Sequence, residues 1–387
     1  MELTKCKLGE LITQRREKND GSDLPICGVS KDGLIPPKQK DADTSIYNVF
    51  YRDDFIFNPA RMELNSIAIN DMYDRAICSS LYEVFYVHRT DLLLPHYLKL
   101  IIRQKWFTRY CEFLGQGSAR EYCRFGNISE IEIEFPPIEE QQKIVDYNTV
   151  IENRIALKQK INDNLFVTVN AFFTEKFSHF LHEDMRNMPN YVQLKNFIKI
   201  KHGYAFDGEQ FSETKTSKIL VSPGNFKIGG GFQNNKPKFY NEKAEYKTDY
   251  ILEPGSLVVT MTDLSKNGDT LGFPAIIPND KQLTFLHNQR VGLVEFVNDL
   301  YPKAFIYFLM CSNDYRNYIL ATASGTTVRH TSPDKILGYG FLAPDNNSDL
   351  LLLNRLYEAY ISDCDTLNIE IQRLTELQAT LLSRMVC

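Results

Sequence analysis

The chain repeats its own order of elements, and that repetition limits what it can fold into more than any single motif does. A glycine and a proline stand nineteen residues apart twice, as Gly117 with Pro136 and as Gly325 with Pro344. Before each proline lies a strand-like stretch. In one, Ile131, Ile133 and Phe135 alternate with Glu130, Glu132 and Glu134; in the other, Leu337, Tyr339 and Phe341 alternate with glycines. Earlier segments correspond in the same order: "CKLGELI" (6–12) with "VQLKNFI" (192–198), "DDFIFN" (53–58) with "GSLVVT" (255–260), and "EVFYV" (83–87) with "VGLVEFV" (291–297). The last two pairs read as short buried strands. Residues 94–114 and 301–323 then carry apolar residues every three or four positions after a proline. Each predicts a helix packed on a sheet, closed by a C-cap glycine, Gly117 or Gly325. A duplicated domain explains this order.

Each proline is followed by a long helical pattern. After Pro136-Pro137, residues Ile144, Tyr147, Ile151, Ile155, Leu165, Val169 and Phe172 fall on one face, Glu139 and Glu140 suit the positive helix start, and the helix should run to about residue 180. After Pro344, with Ser348 or Asp349 as cap, Leu353, Tyr357, Tyr360, Cys364, Leu367, Ile371, Leu374 and Leu381 keep a 4-3 spacing interrupted at Gln378. Two apolar stripes of similar length in one chain most simply bury each other. An antiparallel pair of some 40 residues would be ~60 Å long and hold the two halves at its ends. The alternative is that each helix packs on its own domain.

The 387 residues suffice for about two domains, and 43% hydrophobic with 24% charged residues describes a folded chain. The start, "MELTKCKLGE", has no apolar signal core, and no apolar run approaches the ~18 residues of a membrane span, so the expected location is cytoplasmic with no membrane partner. Eight scattered cysteines lack metal or disulfide spacing and read as reduced packing residues. The net charge of -5 argues against coating nucleic acid by bulk charge. Locally, ten lysines face five acids between Lys195 and Lys247, which fits a solvated basic face as well as a phosphate-binding one.

The whole pattern resembles the specificity subunit of type I restriction-modification systems. The resemblance is carried by "FPPIEEQQKIVDYNTVIENRIALKQKINDNL" (135–165), "KHGYAF" (201–206) and "GTTVRH" (325–330). It implies an α+β fold with two similar globular α/β target recognition domains, residues 1–136 and 187–345. Two long helices, 137–186 and 346–387, would form an antiparallel coiled coil with pseudo-two-fold symmetry. It also implies a subunit without catalytic residues, metal or cofactor, in which each domain reads one part of a bipartite site in double-stranded DNA. The helices would set the gap and dock two methyltransferase subunits, in a complex that includes restriction endonuclease subunits. Where the second half has "KHGYAF", the first has "ITQRREKNDG" (12–21).

Base edges are read by side chains with paired donors, whereas Lys, Arg, Ser and Thr hold phosphates. The loops after the packed helices offer such groups: Gln116, Ser118, Arg120 and Arg124 in the first half, Thr326, Thr327, Arg329 and His330 in the second. Lys201 and Tyr204 join them from "KHGYAF", where Phe206 reads as core, and Arg61, Lys266 and Arg290 are secondary choices just beyond predicted strands. For the coiled coil and partner docking the choices are Ile144, Ile151, Ile155, Leu165, Tyr360, Leu367, Ile371 and Leu374.

Catalytic motifs are lacking. "FNPA" (57–60) misses the second proline and the aromatic of an amino-methyltransferase motif, and "PGNFKIGGGF" (223–232) lacks the Lys-Ser/Thr of a phosphate loop and reads as a hairpin turn. Two other classes stay open: a two-armed protein-protein adaptor, and a DNA enzyme in its own right.

Overall fold

Short apolar stretches bounded by turn residues make short strands, and the periodic stretches after the two prolines make long helices. The structure, a computed structural model, describes residues 3–31, 33–37, 43–114, 122–181, 186–235, 237–345 and 347–384. The chain divides into two compact units: Met1–Leu157 with Ile371–Cys387, and Lys158–Glu370.

In the first unit the order is β1 (Thr4–Lys7), β2 (Ile12–Arg15), β3 (Ile26–Ser30), β4 (Gly33–Ile35), β5 (Asn48–Tyr51), β6 (Phe55–Phe57), β7 (Ile67–Ile69), β8 (Arg75–Cys78) and β9 (Glu83–Val87). Helices α1 (Pro95–Ile102), α2 (Lys105–Leu114) and α3 (Phe125–Ser129) follow, then β10 (Glu132–Phe135) and the start of α4 (Ile138–Phe177). Strands β2-β9-β6-β7 form one sheet, antiparallel throughout, and β4-β3-β8-β5 a second, in which β3 and β8 are parallel. The Ile/Glu alternation before Pro136 forms β10, which pairs with β1. Ile133 and Phe135 are buried, and Lys5 bridges Glu132 at 3.3 Å on the wet face. Phe55 stacks on Phe85 with ring centres 5.0 Å apart, and Tyr97, Leu98 and Ile101 of α1 close the same core.

In the second unit, after α4, come β11 (Tyr191–Gln193), β12 (Ile198–His202), β13 (Phe211–Ser212), β14 (Lys218–Val221), β15 (Phe239–Tyr240), β16 (Ile251–Leu252), β17 (Leu257–Thr260), β18 (Thr262–Asp263), β19 (Pro274–Ile276), β20 (Thr284–His287) and β21 (Val291–Phe296). The remainder is α5 (Lys303–Cys311), α6 (Asn313–Thr322), β22 (Arg329–His330), α7 (Pro333–Leu337), β23 (Gly340–Leu342) and α8 (Asn347–Arg384). Its four-stranded sheet runs β12-β21-β17-β19, the connection order of β2-β9-β6-β7. Its five-stranded sheet contains a parallel pair, β14 with β20, flanked by antiparallel β16, as β3, β8 and β5 are arranged in the first unit. β11 pairs with β23 as β1 pairs with β10.

Several sequence expectations need correction. Residues 94–114 form two helices, not one, with the break at Arg103–Gln104, and residues 301–323 break at Ser312. Ser312 is extended, and its hydroxyl accepts from Tyr315 N at 3.2 Å, so it starts a new helix instead of continuing the old one. Gly325 does not cap α6, which ends at an extended Ala323; it lies in the turn where Ser324 and His330 pair. Gly117 lies outside the described residues. Leu337 ends α7 and belongs to no strand. α8 starts at Asn347, which puts Ser348 and Asp349 inside its first turn. Tyr147 is exposed and Asn148 is buried in its place; Phe173, not the half-buried Phe172, enters the core, and Leu381 is exposed.

Buried or half-buried positions on α4 recur as Gln141, Ile144, Asn148, Ile151, Ile155, Lys158, Asn162, Leu165 and Val169, a spacing of three and four. In the first unit the Gln378 amide donates to Asn148 Oδ1 at 2.9 Å. In the second, Lys158 pairs with Glu370, Cys364 Sγ donates to Asn162 Oδ1 at 2.6 Å, and Phe166 meets Tyr360. Position falls along α8 as it rises along α4. The end of α4 (Val169, Phe173, Phe177) and the start of α8 (Leu350, Leu353, Tyr357, Tyr360) share one apolar core with α5.

Candidate nucleic-acid interface

Antiparallel register puts the end of β12, the start of β21 and the end of β17 at one end of the second unit's sheet, since His202 faces Gly292 and Thr260 faces Val291. The chain leaves β12 through "KHGYAF". A side chain at Gly203 would place its Cβ 2.2 Å from the Asn288 carbonyl oxygen, so only glycine permits this approach. Tyr204 N then donates to His287 O at 2.8 Å, which fixes the Tyr204 ring, 37% exposed, edge-on to Phe206. Phe206 is buried, as expected. Lys201 Nζ donates to the Asp249 carbonyl at 3.2 Å and lies 5.6 Å from the Tyr250 ring centre.

Backbone hydrogen bonds carry this end of the sheet onward. Gln289 N donates to Tyr204 O, Met261 N to Arg290 O, and Thr331 N to Met261 O, each within 3.0 Å. β18 pairs with β22, setting Thr262 opposite His330 and Asp263 opposite Arg329. Thr262 Oγ1 and His330 Nδ1 are 3.1 Å apart, and Arg329 Nε donates to Lys266 O at 3.3 Å. Lys201, Tyr204, Arg290, Lys266, Arg329 and His330 thus belong to one rim, with Thr326 and Thr327 exposed on the adjoining turn. Asp263 is the organiser. Burial alone would raise its pKa, yet donors from Thr270 and Ser265, at 2.5 to 2.6 Å, hold the carboxyl below its usual range.

At the corresponding end of the first unit's sheet, Arg124 approaches Glu83 at 3.5 Å and the Tyr122 ring at 5.6 Å, and Phe125 N donates to Glu83 at 2.8 Å. Cys123 N donates to Pro59 O at 3.1 Å, which ties this segment to the turn bearing Arg61. A cleft of about 1110 Å³ opens here, lined among others by Lys31, Arg61, Leu64, Tyr122 and Arg124. Gln116, Ser118 and Arg120 lie outside the described residues.

Sequence reasoning missed Arg15. It ends β2 as Lys201 nears the end of β12, and each stands seven residues after the leucine that opens its half, Leu8 or Leu194. That spacing was the available signal. Arg15 is engaged internally: its Nε donates to Asp54 Oδ2 at 2.6 Å, and its guanidinium lies between the Tyr51 and Tyr86 rings at 4.7 and 4.6 Å. Burial pushes the Asp54 carboxyl up in spite of that partner.

Among the eight helix residues expected to pair or dock, Ile151 and Tyr360 are buried, and Ile144, Ile155, Leu165, Leu367, Ile371 and Leu374 are half-buried. Gln141, unremarked in the sequence, is fully buried. Its amide nitrogen donates to the Leu92 and Pro136 carbonyls, and its oxygen accepts from Leu94 N, locking the start of α4 to the first unit. Among the described residues no cluster of three or more His, Cys, Asp or Glu could hold a metal ion, and no helix is long and apolar enough to cross a membrane.

Residues 5–165 match the model of the type I restriction modification DNA specificity domain. The crystal structure of a type I restriction-modification system S subunit from M. genitalium has the same fold, with a TM-score of 0.55 and 14% identity over 100% of this chain and 96% of that one. The HsdS subunit from Thermoanaerobacter tengcongensis aligns at 14% identity over 99% and 96%, with a TM-score of 0.38. No curated protein matches the sequence.

Proposed function

We propose that this chain, which resembles the specificity subunits of type I restriction-modification systems, recognises a bipartite site in double-stranded DNA, one part read by each half. On this reading residues 1–136 and 187–345 are the recognition domains, related by pseudo-two-fold symmetry. The helical segments 137–186 and 346–387 pair as an antiparallel coiled coil, set the gap and dock two methyltransferase subunits. Restriction endonuclease subunits complete a cytoplasmic complex in which this chain is non-catalytic.

The observation that carries the proposal is the rim of the second unit, where the cations Lys201, Lys266, Arg290 and Arg329 join Tyr204 and His330 on a hydrogen-bonded backbone frame. Such a rim offers donors to base edges and charge to phosphates. The common strand order of the two units supports paired readers, and the oppositely running contacts between α4 and α8 support the coiled coil. The chain's formal charge of -5 implies that its partners supply much of the nonspecific grip on phosphates.

The test is to co-express the chain with type I methyltransferase subunits and sequence modified bases in the host genome. A split motif is expected, and Arg329→Ala should relax one part of it with a loss of roughly tenfold in methylation of the original site. A genome with no modified motif would sink the proposal.

A further inference from the structure

Two connections at corresponding ends of the two four-stranded sheets are tightly braced, yet they hold apolar side chains out to solvent. In the second unit the stretch between β18 and β19 is tied by Asp263, by Asp269 N donating to Ser265 Oγ at 2.7 Å, and by the Arg316 guanidinium donating to the Gly268 and Leu271 carbonyls. A Cβ at Gly268, whose φ is +65°, would lie 3.3 to 3.5 Å from the Leu320 and Arg329 side chains. Leu264 is left 64% exposed, two residues from the exposed Lys266.

In the first unit the connection from β6 to β7 is braced as well. Asn58 Oδ1 accepts from Ala60 N at 3.1 Å, Met62 is buried, and Asn65 Nδ2 donates to Ile102 O and Thr108 Oγ1 at 3.1 and 3.0 Å. Leu64 is left 58% exposed, three residues from the exposed Arg61, and both line the cleft. Single exposed leucines are ordinary. A leucine two or three residues from an exposed cation, repeated on a braced connection at the same point of the strand order, is a more specific arrangement. It matches the way proteins set an apolar group against a base with a basic group nearby.

We propose that Leu64 and Leu264 are apolar reading groups, each pressing its methyls on a base surface while Arg61 or Lys266 holds the neighbouring phosphate. This rests on the DNA-reading function above.

Its test uses the chain co-expressed with the methyltransferase subunits. Leu264→Ala should relax one position in the part of the motif that Arg329→Ala alters, with roughly tenfold slower methylation of the original duplex. Leu64→Ala should do the same in the other part. Leu300→Ala, 70% exposed beyond the opposite end of β21, should leave the motif unchanged. If a thymine methyl is the contact, uracil in its place reproduces the loss; if an unstacked base is, 2-aminopurine at that step brightens on binding. Wild-type motif and rate in both leucine variants, with Arg329→Ala still altering the motif, would overturn this inference alone. A wild-type complex without any motif would overturn the DNA-reading function as well.

Discussion

Single side chains show how the two rims differ. Half-buried Arg329 has one side-chain hydrogen bond, from Nε, and among the described residues no acceptor meets its terminal nitrogens. Arg15, at the position equivalent to Lys201, spends its fork on Asp54. Behind the second rim, His287 is buried, and burial lowers its pKa to about 4 although its ring lies 2.8 Å from the Val291 carbonyl. A depressed histidine contributes stability that is whole above the unfolded value of 6.5 and is lost as pH falls toward 4. Thermal unfolding of the wild type and His287→Gln at pH 7 and pH 5 should show a smaller acid loss in the variant, by ~2 kcal/mol. Equal losses would show that His287 takes no part. That Arg329 and His330 close an exposed turn was legible, because turn chemistry and donor-rich residues coincide in "GTTVRH". Arg15 was hidden, because nothing in "ITQRREKNDG" shows that Asp54 would claim it.

Among elements, the long helices and the strands β6, β9, β10, β17 and β21 were readable from the apolar pattern, while the remaining short strands and the helix breaks were not. Residues 94–114 keep their apolar spacing through Arg103–Gln104, so the periodicity gives no sign of the interruption; at Ser312 the signal was a helix-starting serine inside an apolar run. The stripe on α4 was readable only in part, because its first buried positions are Gln141 and Asn148, polar residues whose partners come from distant segments. Ile151 is 6% exposed on that stripe. Putting a carboxylate there leaves an unpaired buried charge. Ile151→Asp should lower the stability of the first unit by several kcal/mol and, on the proposed function, release methyltransferase subunits from the co-expressed complex in size-exclusion chromatography. Elution unchanged from wild type would remove Ile151 from the pairing.

At the scale of the whole chain, the repeated order of elements along the sequence was legible, but the pairing order of the strands and the division of the long helices were not. Each compact unit takes part of α4 and part of α8, so residues 371–384 belong with residues 1–157 although Lys158–Glu370 intervene. Gln378 bonded to Asn148 and Gln104 Nε2 donating to Leu382 O at 3.1 Å are the stitches. Deleting residues 371–387 should therefore raise amide exchange around 141–155 by at least tenfold and leave β17 and β21 protected; exchange rising first in those strands would contradict the assignment. The same arrangement has a consequence for biosynthesis. Domains ordinarily fold as they emerge from the ribosome, and the apolar core of the first unit is drawn from residues before 146, yet the partner of Asn148 is translated on the order of two hundred residues later, so that face of α4 stays uncovered until the end of the chain is made.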